Sequence, residues 1–194
     1  MNAAHLEFCA SREWRQIVEE MILPVALRDI ELGDDVLEIG PGPGFTTDVL
    51  RTKTQRLTAV ELDPALAGDL DRRLAGTNVD VVQGDATALD FANDRFTAAA
   101  SFNMLHHVPS DDAQDRIFAE VARVLRPDGF FVAADGVASE DLLAFHEGDT
   151  YHPIDPDGLA ERLGSSGFTG IDVRLYDLGW IAEARTPRAA RGAG

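Results

Sequence analysis

Several residue types are nearly absent from this chain of 194 residues, and each absence narrows what the protein can be. Cys9 is the sole cysteine, so no internal disulfide can form, and a cytoplasmic location is the default expectation. No run approaches the roughly 18 apolar residues of a membrane-spanning helix. The amino terminus also lacks the basic and apolar regions of a signal peptide. We therefore expect no membrane partner.

Basic residues are scarce as well. The chain has 17 Lys and Arg against 34 Asp and Glu, for a net charge of −17, and Lys53 is its single lysine. A protein that binds nucleic acid needs a basic surface against the phosphates. We therefore expect no nucleic-acid partner. Nothing in the composition separates a monomer from a homodimer.

The chain contains enough apolar residues, 45%, for one domain with a full core. We predict a single domain over residues 1–185, with a leading helical segment at 1–34 and a disordered tail at 186–194 that is rich in Arg, Ala and Gly. Within the leading segment, the apolar spacing predicts an amphipathic helix from Ser11 to Leu23. Its apolar face is formed by Trp14, Ile17, Val18, Met21, Ile22 and Val25. Pro24 is expected to kink or end that helix.

Short apolar runs alternate with helical patterns along the rest of the chain, as in α/β proteins. About three residues separate the last two runs, so these two strands must form an antiparallel hairpin. The predicted strands are Val36–Ile39, Arg56–Glu61, Val79–Gln83, a run within Phe96–Ser101, Phe130–Ala134, Ile171–Leu175 and Leu178–Ala182.

A glycine-rich stretch follows the first of these strands. Gly40, Gly42 and Gly44 alternate directly after it, and Phe45 begins a helical pattern. A strand that runs through glycines into a helix exposes backbone N–H groups and a positive helix end at one place. Glycine allows a ligand to reach the backbone because it has no Cβ. The stretch predicts a cradle for a nucleotide-type cofactor, although an ordinary tight turn would use the same glycines.

The spacing of the glycines indicates which cofactor. It is G-x-G-x-G, unlike the dinucleotide pattern G-x-G-x-x-G, and the Lys and Ser/Thr of a P-loop are missing. Glu38 stands two residues before the first glycine, where an ammonium group gains from it and a pyrophosphate does not. The stretch E-x-G-x-G-x-G resembles the first motif of the class I S-adenosylmethionine-dependent methyltransferases, of the small-molecule, methyltransferase-11-like type.

This resemblance extends over roughly Asp35 to Ala184. It implies a Rossmann-like, seven-stranded, mostly parallel sheet with an antiparallel last strand and helices on both faces. It also implies S-adenosylmethionine as the cofactor and S-adenosylhomocysteine as its product.

Two acids outside the glycine stretch complete the expected cofactor site. Glu61 ends the second strand about twenty residues after the glycines, where a doubly wound fold places a carboxylate for two ribose hydroxyls. Asp85 lies in Gly84-Asp85-Ala86, which resembles the adenine-side motif of the family. A surface acid and a turn Asp are the alternatives. The predicted cofactor-binding residues are Glu38, Gly40, Pro41, Gly42, Gly44, Glu61, Leu62, Asp85, Ala86 and Asn103.

The segment Leu105-His106-His107-Val108 resembles the L-H-H-V segment that follows the fourth strand in the family. His106 and His107 are our predicted catalytic residues, because histidine titrates near neutrality. The alternative is that one packs under the loop and the other is solvated. Residues 135–153 are a candidate lid over the acceptor. Acceptor contacts are expected from the lid residues and from the leading helix: Phe145, His146, Tyr151, His152 and Trp14.

The predicted function is transfer of a methyl group from S-adenosylmethionine to a small-molecule acceptor by in-line displacement, with no metal site. Two alternatives stay open. One is a catalytically inactive protein that binds S-adenosylmethionine or S-adenosylhomocysteine. The other is an NAD(P)-dependent oxidoreductase. Such an enzyme would need a catalytic Tyr–Lys pair, but neither Tyr151 nor Tyr176 has a lysine nearby in the sequence, since Lys53 is the single lysine.

Overall fold

The computed structural model describes residues 2–189, which build a seven-stranded sheet in the order β3-β2-β1-β4-β5-β7-β6. Among the described residues, no helix combines the length and the apolar character needed to cross a bilayer. The strands are β1 Asp35–Ile39, β2 Arg56–Glu61, β3 Val79–Gln83, β4 Phe96–Phe102, β5 Leu125–Asp135, β6 Thr169–Tyr176 and β7 Gly179–Arg185.

Helices precede, connect and cover the strands. Two of the helical stretches depart from α-geometry, a π-helical turn at Val18–Ile22 and a 3₁₀ turn at Leu105–His107. The α-helices are α1 Ala3–Cys9, α2 Arg12–Ile17, α3 Leu23–Ala26, α4 Phe45–Leu50, α5 Pro64–Leu74, α6 Asp111–Val124, α7 Glu140–Phe145 and α8 Pro156–Ser165.

The centre of the sheet is parallel and inaccessible to solvent. β1 pairs in parallel with β2 on one side and β4 on the other, and all five of its residues are buried. β7 is antiparallel to both β5 and β6. The predicted Rossmann-like α/β fold with an antiparallel last strand is therefore confirmed.

β4 forms although alanine has a poor strand propensity. Ala98, Ala99 and Ala100 are fully buried between β1 and β5. Pairing on both sides and burial on both faces decide the conformation of this strand, because strand propensity depends more on context than on the residue itself.

β5 begins earlier than its predicted start at Phe130. Leu125 pairs with Phe96, and an irregularity then separates this pair from the regular ladder that begins at Phe130. The irregularity includes Asp128, whose φ is +62°. The turn that was expected to precede the strand is thus a bulge inside it.

The predicted disordered tail is ordered where it begins. Thr186 is 5% exposed, its hydroxyl accepts a hydrogen bond from the Gly129 N–H at 2.9 Å, and its own N–H donates to the Gly129 carbonyl at 3.0 Å. The expectation of disorder is therefore wrong for Thr186, which satisfies the backbone of the β5 bulge. Residues 190–194 of the predicted tail lie outside the described residues.

The leading helical segment covers one face of the sheet, and its helix does not end at Pro24. The helical chain continues to Ala26 through the π-helical turn, with Pro24 in the first turn of α3. The π turn changes the angular spacing of the side chains that follow. Val18 and Ile22 are therefore buried as predicted, whereas Met21, also expected on the apolar face, is 45% exposed.

Candidate functional site

The candidate site lies at the carboxyl ends of the parallel strands. β1 and β4 are neighbours in the sheet, and the chain leaves them toward opposite edges. Such a switch point opens a crevice where ligands bind in doubly wound folds. The loop of residues 40–44, here called the glycine loop, leads from β1 to α4 at this point.

The three alternating glycines of the loop all have left-handed backbones, but they serve two purposes. A Cβ on Gly40 would lie 2.1 Å from Met104 Cγ, and a Cβ on Gly44 would lie 2.4 Å from both Leu70 Cδ1 and Arg73 Nη2. These two positions need glycine for packing. A Cβ on Gly42, whose φ is +53°, would meet nothing within 4 Å, so the bare backbone of this residue faces open space.

Pro41 and Glu61 hold the loop in this shape. The Pro41 carbonyl accepts the Gly44 N–H at 2.9 Å. Glu61, at the end of β2, accepts the Gly42 N–H through Oε2 and the Asp63 N–H through Oε1, each at 3.0 Å. Glu61 is 8% exposed, so it is a buried member of the crevice rather than a surface acid.

Glu38 is the most unusual carboxylate of the site. It is 1% exposed in the middle of the sheet, and Oε1 accepts a hydrogen bond from the Thr46 hydroxyl. Oε2 has no hydrogen-bond partner among the described residues. Burial raises the pKa of the Glu38 carboxyl to about 7, against the opposing effect of the Thr46 hydroxyl. A buried acceptor without a donor is costly unless a ligand supplies one.

The ends of β2 and β3 carry the remaining residues predicted for ribose and adenine. Leu62 is 64% exposed and Ala86 packs partly against the core. Asp85 is exposed, and its Oδ1 accepts hydrogen bonds from the N–H and the hydroxyl of Thr87, each at 2.8 Å. One oxygen of Asp85 thus forms a turn, which leaves Oδ2 outside that turn.

Asn103 follows β4 in a strained conformation. Its φ is +52°, and its N–H donates to the Ala134 carbonyl at 2.8 Å. Positive φ at a residue other than glycine often marks a functional position. The turn also directs Met104 against Gly40, so the end of β4 touches the glycine loop.

His106 and His107 form the next turn, and they lie in different surroundings. His106 is 8% exposed; its Nδ1 is 2.5 Å from Asp135 Oδ1, and its backbone N–H donates to Asp135 Oδ2 at 3.1 Å. His107 Nδ1 lies 3.2 Å from the Thr150 carbonyl. Burial and the neighbouring histidines lower the pKa of His107 to about 3.

The predicted lid is fastened to this turn. The His152 N–H donates to the His106 carbonyl at 2.7 Å, and Gln114 Nε2 donates to the His152 carbonyl at 2.9 Å. The ring of His146 packs against His106 at 4.9 Å between centroids and against Tyr151 at 4.4 Å. Whether the segment opens as a lid stays a prediction.

The leading segment reaches the site through a residue that the sequence analysis missed. Trp14 packs on Phe8, whereas His5 of α1 contacts the rings of His107 and His146 at 4.9 and 4.5 Å. His5 shows no motif or periodicity in sequence. Contacts between α1 and the segment around the end of α7 bring it here, among them the hydrogen bond from the Asn2 N–H to Asp149.

The residues of the crevice fit an amine-bearing adenosine cofactor in two respects. Glu38 Oε2 is an unpaired buried acceptor, as an ammonium group requires. Gly42 offers an exposed backbone in open space.

Comparison with known proteins identifies the family. A family model described as a methyltransferase domain matches residues 37–133, which is half of the chain. Among curated proteins, the probable ribosomal RNA small subunit methyltransferase A of Methanosarcina mazei is 44% identical over 68 residues, 34% of this chain and 25% of that protein. The matched stretch thus spans about a quarter of the length of such relatives.

Solved structures share the fold over most of the chain. The PH0226 protein from Pyrococcus horikoshii OT3 superposes with a TM-score of 0.77 at 18% identity, over 93% of this chain and 94% of that one. Phosphoethanolamine N-methyltransferase 2 from Haemonchus contortus, crystallised with S-adenosyl-L-methionine, superposes with a TM-score of 0.72 at 16% identity, over 95% of this chain and 56% of that one.

These comparisons correct one expectation. From the sequence, nucleic acid is excluded as a partner. This exclusion is wrong, because relatives that match part of this chain are named for ribosomal RNA. Net charge describes the whole surface, while a patch of a few residues suffices to approach RNA. The remaining comparisons agree with the fold and with the cofactor. The chain belongs to the methyltransferase domain family, and it shares the class I fold with S-adenosylmethionine-dependent methyltransferases.

Proposed function

We propose that S-adenosylmethionine binds across the glycine loop, with Glu38 for its amine, Glu61 for its ribose and Asp85 for its adenine. The single observation that supports this placement best is Gly42, whose backbone faces open space directly beside Glu61. When bound, the cofactor supplies an already activated methyl group. The residues of this chain therefore need to align the acceptor and exclude water more than to activate either reactant.

We further propose that the acceptor is a small neutral or cationic molecule that enters beside the segment after β5. A cleft of about 450 Å³ opens there, within the size range of small-ligand sites. Its acidic members disfavour an anionic group. The cleft is lined by Glu140, Leu143, Ala144, His146, Glu147, Gly148, Asp149 and Tyr151.

A fold neighbour gives this proposal a precedent. A Haemonchus contortus phosphoethanolamine N-methyltransferase 2 was crystallised with phosphomonomethylethanolamine and S-adenosylhomocysteine, and it superposes on 90% of this chain with a TM-score of 0.70 at 17% identity. The same fold can thus serve a small molecule whose accepting group is an amine, while the phosphate of that molecule has no counterpart in the acceptor proposed here. This similarity supports a class of acceptor and does not identify the molecule.

Of the two predicted catalytic histidines, His106 is better suited to take a proton. The lowered pKa of His107 makes it a weak base near neutrality. The ring of His106 is oriented by Asp135 through Nδ1, and its Nε2 is buried without a hydrogen-bond partner among the described residues. This arrangement would direct Nε2 toward an acceptor proton, and a base is required only for acceptors that must lose one.

RNA is a second candidate acceptor, because relatives that match part of the chain are named ribosomal RNA small subunit methyltransferase A. The two candidates make different demands on the site. A base in RNA must be presented by a large anionic partner, whereas a free small molecule needs only the cleft.

A labelled-methyl transfer assay separates the candidates. Panels of amines, phenols and thiols are tested beside small-subunit ribosomal RNA, with S-adenosylhomocysteine affinity measured by calorimetry. We expect transfer to a small molecule, and loss of turnover at unchanged cofactor affinity in His106→Gln. Transfer to RNA alone overturns the proposed acceptor. Undiminished turnover in His106→Gln overturns its role as a base.

A further inference from the structure

Four histidine side chains from distant parts of the chain meet at one point, and we call them the histidine cluster. His5 comes from α1, His106 and His107 from the turn after β4, and His146 from the residue after α7. One potential ligand atom from each lies within 4.8 Å of the other three. The rings that touch have centroids 4.1 to 5.4 Å apart.

The Nδ1 atoms of the cluster all face hydrogen-bond acceptors outside it. His106 Nδ1 lies 2.5 Å from Asp135 Oδ1, and His5 Nδ1 lies 3.2 Å from Asp149 Oδ2. His107 Nδ1 lies 3.2 Å from the Thr150 carbonyl, and His146 Nδ1 lies 2.6 Å from the Leu142 carbonyl. A neutral imidazole that donates through Nδ1 presents a lone pair on Nε2.

This pattern is the usual environment of metal-binding histidines. Such a residue donates its second ring N–H to a carboxylate or a backbone carbonyl, which fixes the tautomer and the orientation of the ring. Two of the four rings here have a carboxylate and two have a carbonyl. Nε2 of both His106 and His146 is buried and has no hydrogen-bond partner among the described residues. Buried nitrogens of this kind need either a donor or a cation.

We propose that the histidine cluster binds one divalent transition-metal ion, of the class of Zn²⁺, through the four Nε2 atoms. Imidazole donors suit Zn²⁺, Cu²⁺, Ni²⁺ and Fe²⁺, and they do not suit Mg²⁺ or Ca²⁺. A metal–nitrogen distance of about 2.0–2.1 Å in a tetrahedron gives nitrogens about 3.4 Å apart. Because one ligand atom of each histidine lies within 4.8 Å of the other three, the rings need to close by at most somewhat more than 1 Å. The carboxylates of Asp135 and Asp149 lie behind the cluster and offset the charge of the ion.

The proposed ion goes beyond methyl transfer and does not depend on it. It would join α1 and the segment after α7 to the end of β4, which the polypeptide connects only through long stretches of chain. The two proposals exclude each other at one atom, because His106 Nε2 cannot be a ligand and a base at once, so the proposed role of His106 as a base applies to the metal-free protein. No metal site is predicted from the sequence, because the four histidines have no short, regular spacing.

Zinc binding tests the proposal directly. The full chain, without an affinity tag, is stripped with a chelator and titrated with Zn²⁺ against a chromophoric competitor. Co²⁺ serves as a spectroscopic probe, because tetrahedral Co²⁺ absorbs strongly in the visible range. We expect about one equivalent of metal and a tetrahedral Co²⁺ spectrum. Failure of the wild-type chain to bind Zn²⁺ stoichiometrically overturns the proposal.

The fifth histidine of the chain provides a matched control. His152 lies outside the cluster, and its Nε2 is 2.9 Å from Asp111 Oδ1. His5→Ala and His146→Ala should each weaken Zn²⁺ at least about 100-fold, and Asp135→Asn about 10- to 100-fold, as for other groups that orient a ligand. His152→Ala should bind Zn²⁺ like the wild type. Equal Zn²⁺ affinity in His5→Ala, His146→Ala and the wild type overturns the proposal.

Affinity for S-adenosylhomocysteine shows whether each variant is folded. His5→Ala changes a different segment of the chain from His146→Ala, so it keeps the test valid if His146→Ala fails to fold. Loss of Zn²⁺ with retained S-adenosylhomocysteine binding supports the metal site. A chain that binds Zn²⁺ but not S-adenosylhomocysteine would contradict the proposed cofactor placement and leave the metal site standing.

Discussion

The glycine loop and the histidine cluster lie at the same edge of the sheet, but they are assembled in different ways. The loop and Glu38 come from one stretch of seven residues, and Glu61 joins them from the neighbouring strand. The cluster needs residues 5, 106, 107 and 146, which three separate segments contribute. Local sequence therefore specifies the first site, whereas packing between helices specifies the second.

Gly42→Val should have the largest effect on the first site. A valine would occupy the open space at this position, so we expect no measurable binding of S-adenosylhomocysteine, a loss of at least about 1,000-fold. Zn²⁺ binding by the cluster should persist. Isothermal titration calorimetry with both ligands makes the measurement.

Gly76→Val is the matched control for this prediction. Gly76 also has a left-handed backbone, with φ +79°, and nothing within 4 Å of its Cβ position, but it ends α5 away from the loop. Both valines introduce comparable backbone strain. If the two variants lose affinity for S-adenosylhomocysteine equally, backbone strain explains the effect of Gly42→Val, and the space left for the ligand does not.

Glu61→Ala should have the next largest effect. A carboxylate that accepts hydroxyl hydrogen bonds contributes about 1.5–3 kcal/mol, which corresponds to a loss of roughly 10- to 150-fold in affinity. The Gly42 N–H also loses its acceptor in this variant. Asp69→Ala, which removes an exposed partner of Arg72, is the control. Wild-type affinity in Glu61→Ala would reduce this acid to a residue at a strand end.

Glu38 should couple cofactor binding to pH. Its pKa of about 7 means that, at lower pH, the Glu38 carboxyl must first release a proton to solvent before it can pair with the ammonium group. Affinity for S-adenosylhomocysteine should therefore fall about tenfold from pH 8 to pH 6, with proton release detectable in buffers of different ionisation enthalpy. A pH-independent affinity in the wild type would separate Glu38 from the amine.

Glu38 should also make the stability of the ligand-free protein depend on pH. Stability should be higher at low pH, whereas cofactor affinity should be higher at high pH. The pKa of Glu38 is raised from 4.5 to about 7 on folding, so the folded state holds more protons within that window. The free energy of unfolding must then decrease as pH rises through the window. Glu38→Gln removes this dependence, and its unfolding temperature should exceed that of the wild type at pH 8.

Asp85 should have the smallest effect. The residue is exposed and one oxygen already forms a turn, so we expect Asp85→Ala to cost about two- to fivefold in affinity. A cofactor analogue without the exocyclic amine of adenine should lose affinity toward the wild type and little more toward the variant. Fully additive losses in this cycle would remove Asp85 from the adenine site.

The sequence predicted most of what depends on neighbouring residues. The bounds of β2 and β3 agree with the predicted strands, because alternating or continuous apolar runs specify strands locally. The exposure of Met21 and the early start of β5 were not predictable in this way. A π turn and a bulge each arise where a helix or strand adjusts to what it packs against.

The acceptor side shows more clearly that contacts between distant segments cannot be predicted from the sequence. His106 and His107 were found because they follow a strand, and His146 because it lies in a segment without regular pattern. His5 was missed, since nothing near it in sequence indicates a site. Its position depends on α1 docking onto the segment after α7, through bonds from Asn2 to Phe145 and Glu147 that span more than 140 residues.

The position of β7 bears on how the chain is made in the cell. β7 follows β6 along the chain but lies between β5 and β6 in the sheet, so β5 has an unpaired edge until β7 has left the ribosome. An exposed edge strand invites pairing with other chains. The nascent chain is therefore most prone to aggregation just before β7 emerges. A chain that ends before Gly179 would lack β7, so the edge of β5 would stay unpaired. Such a chain would still contain every residue of the glycine loop.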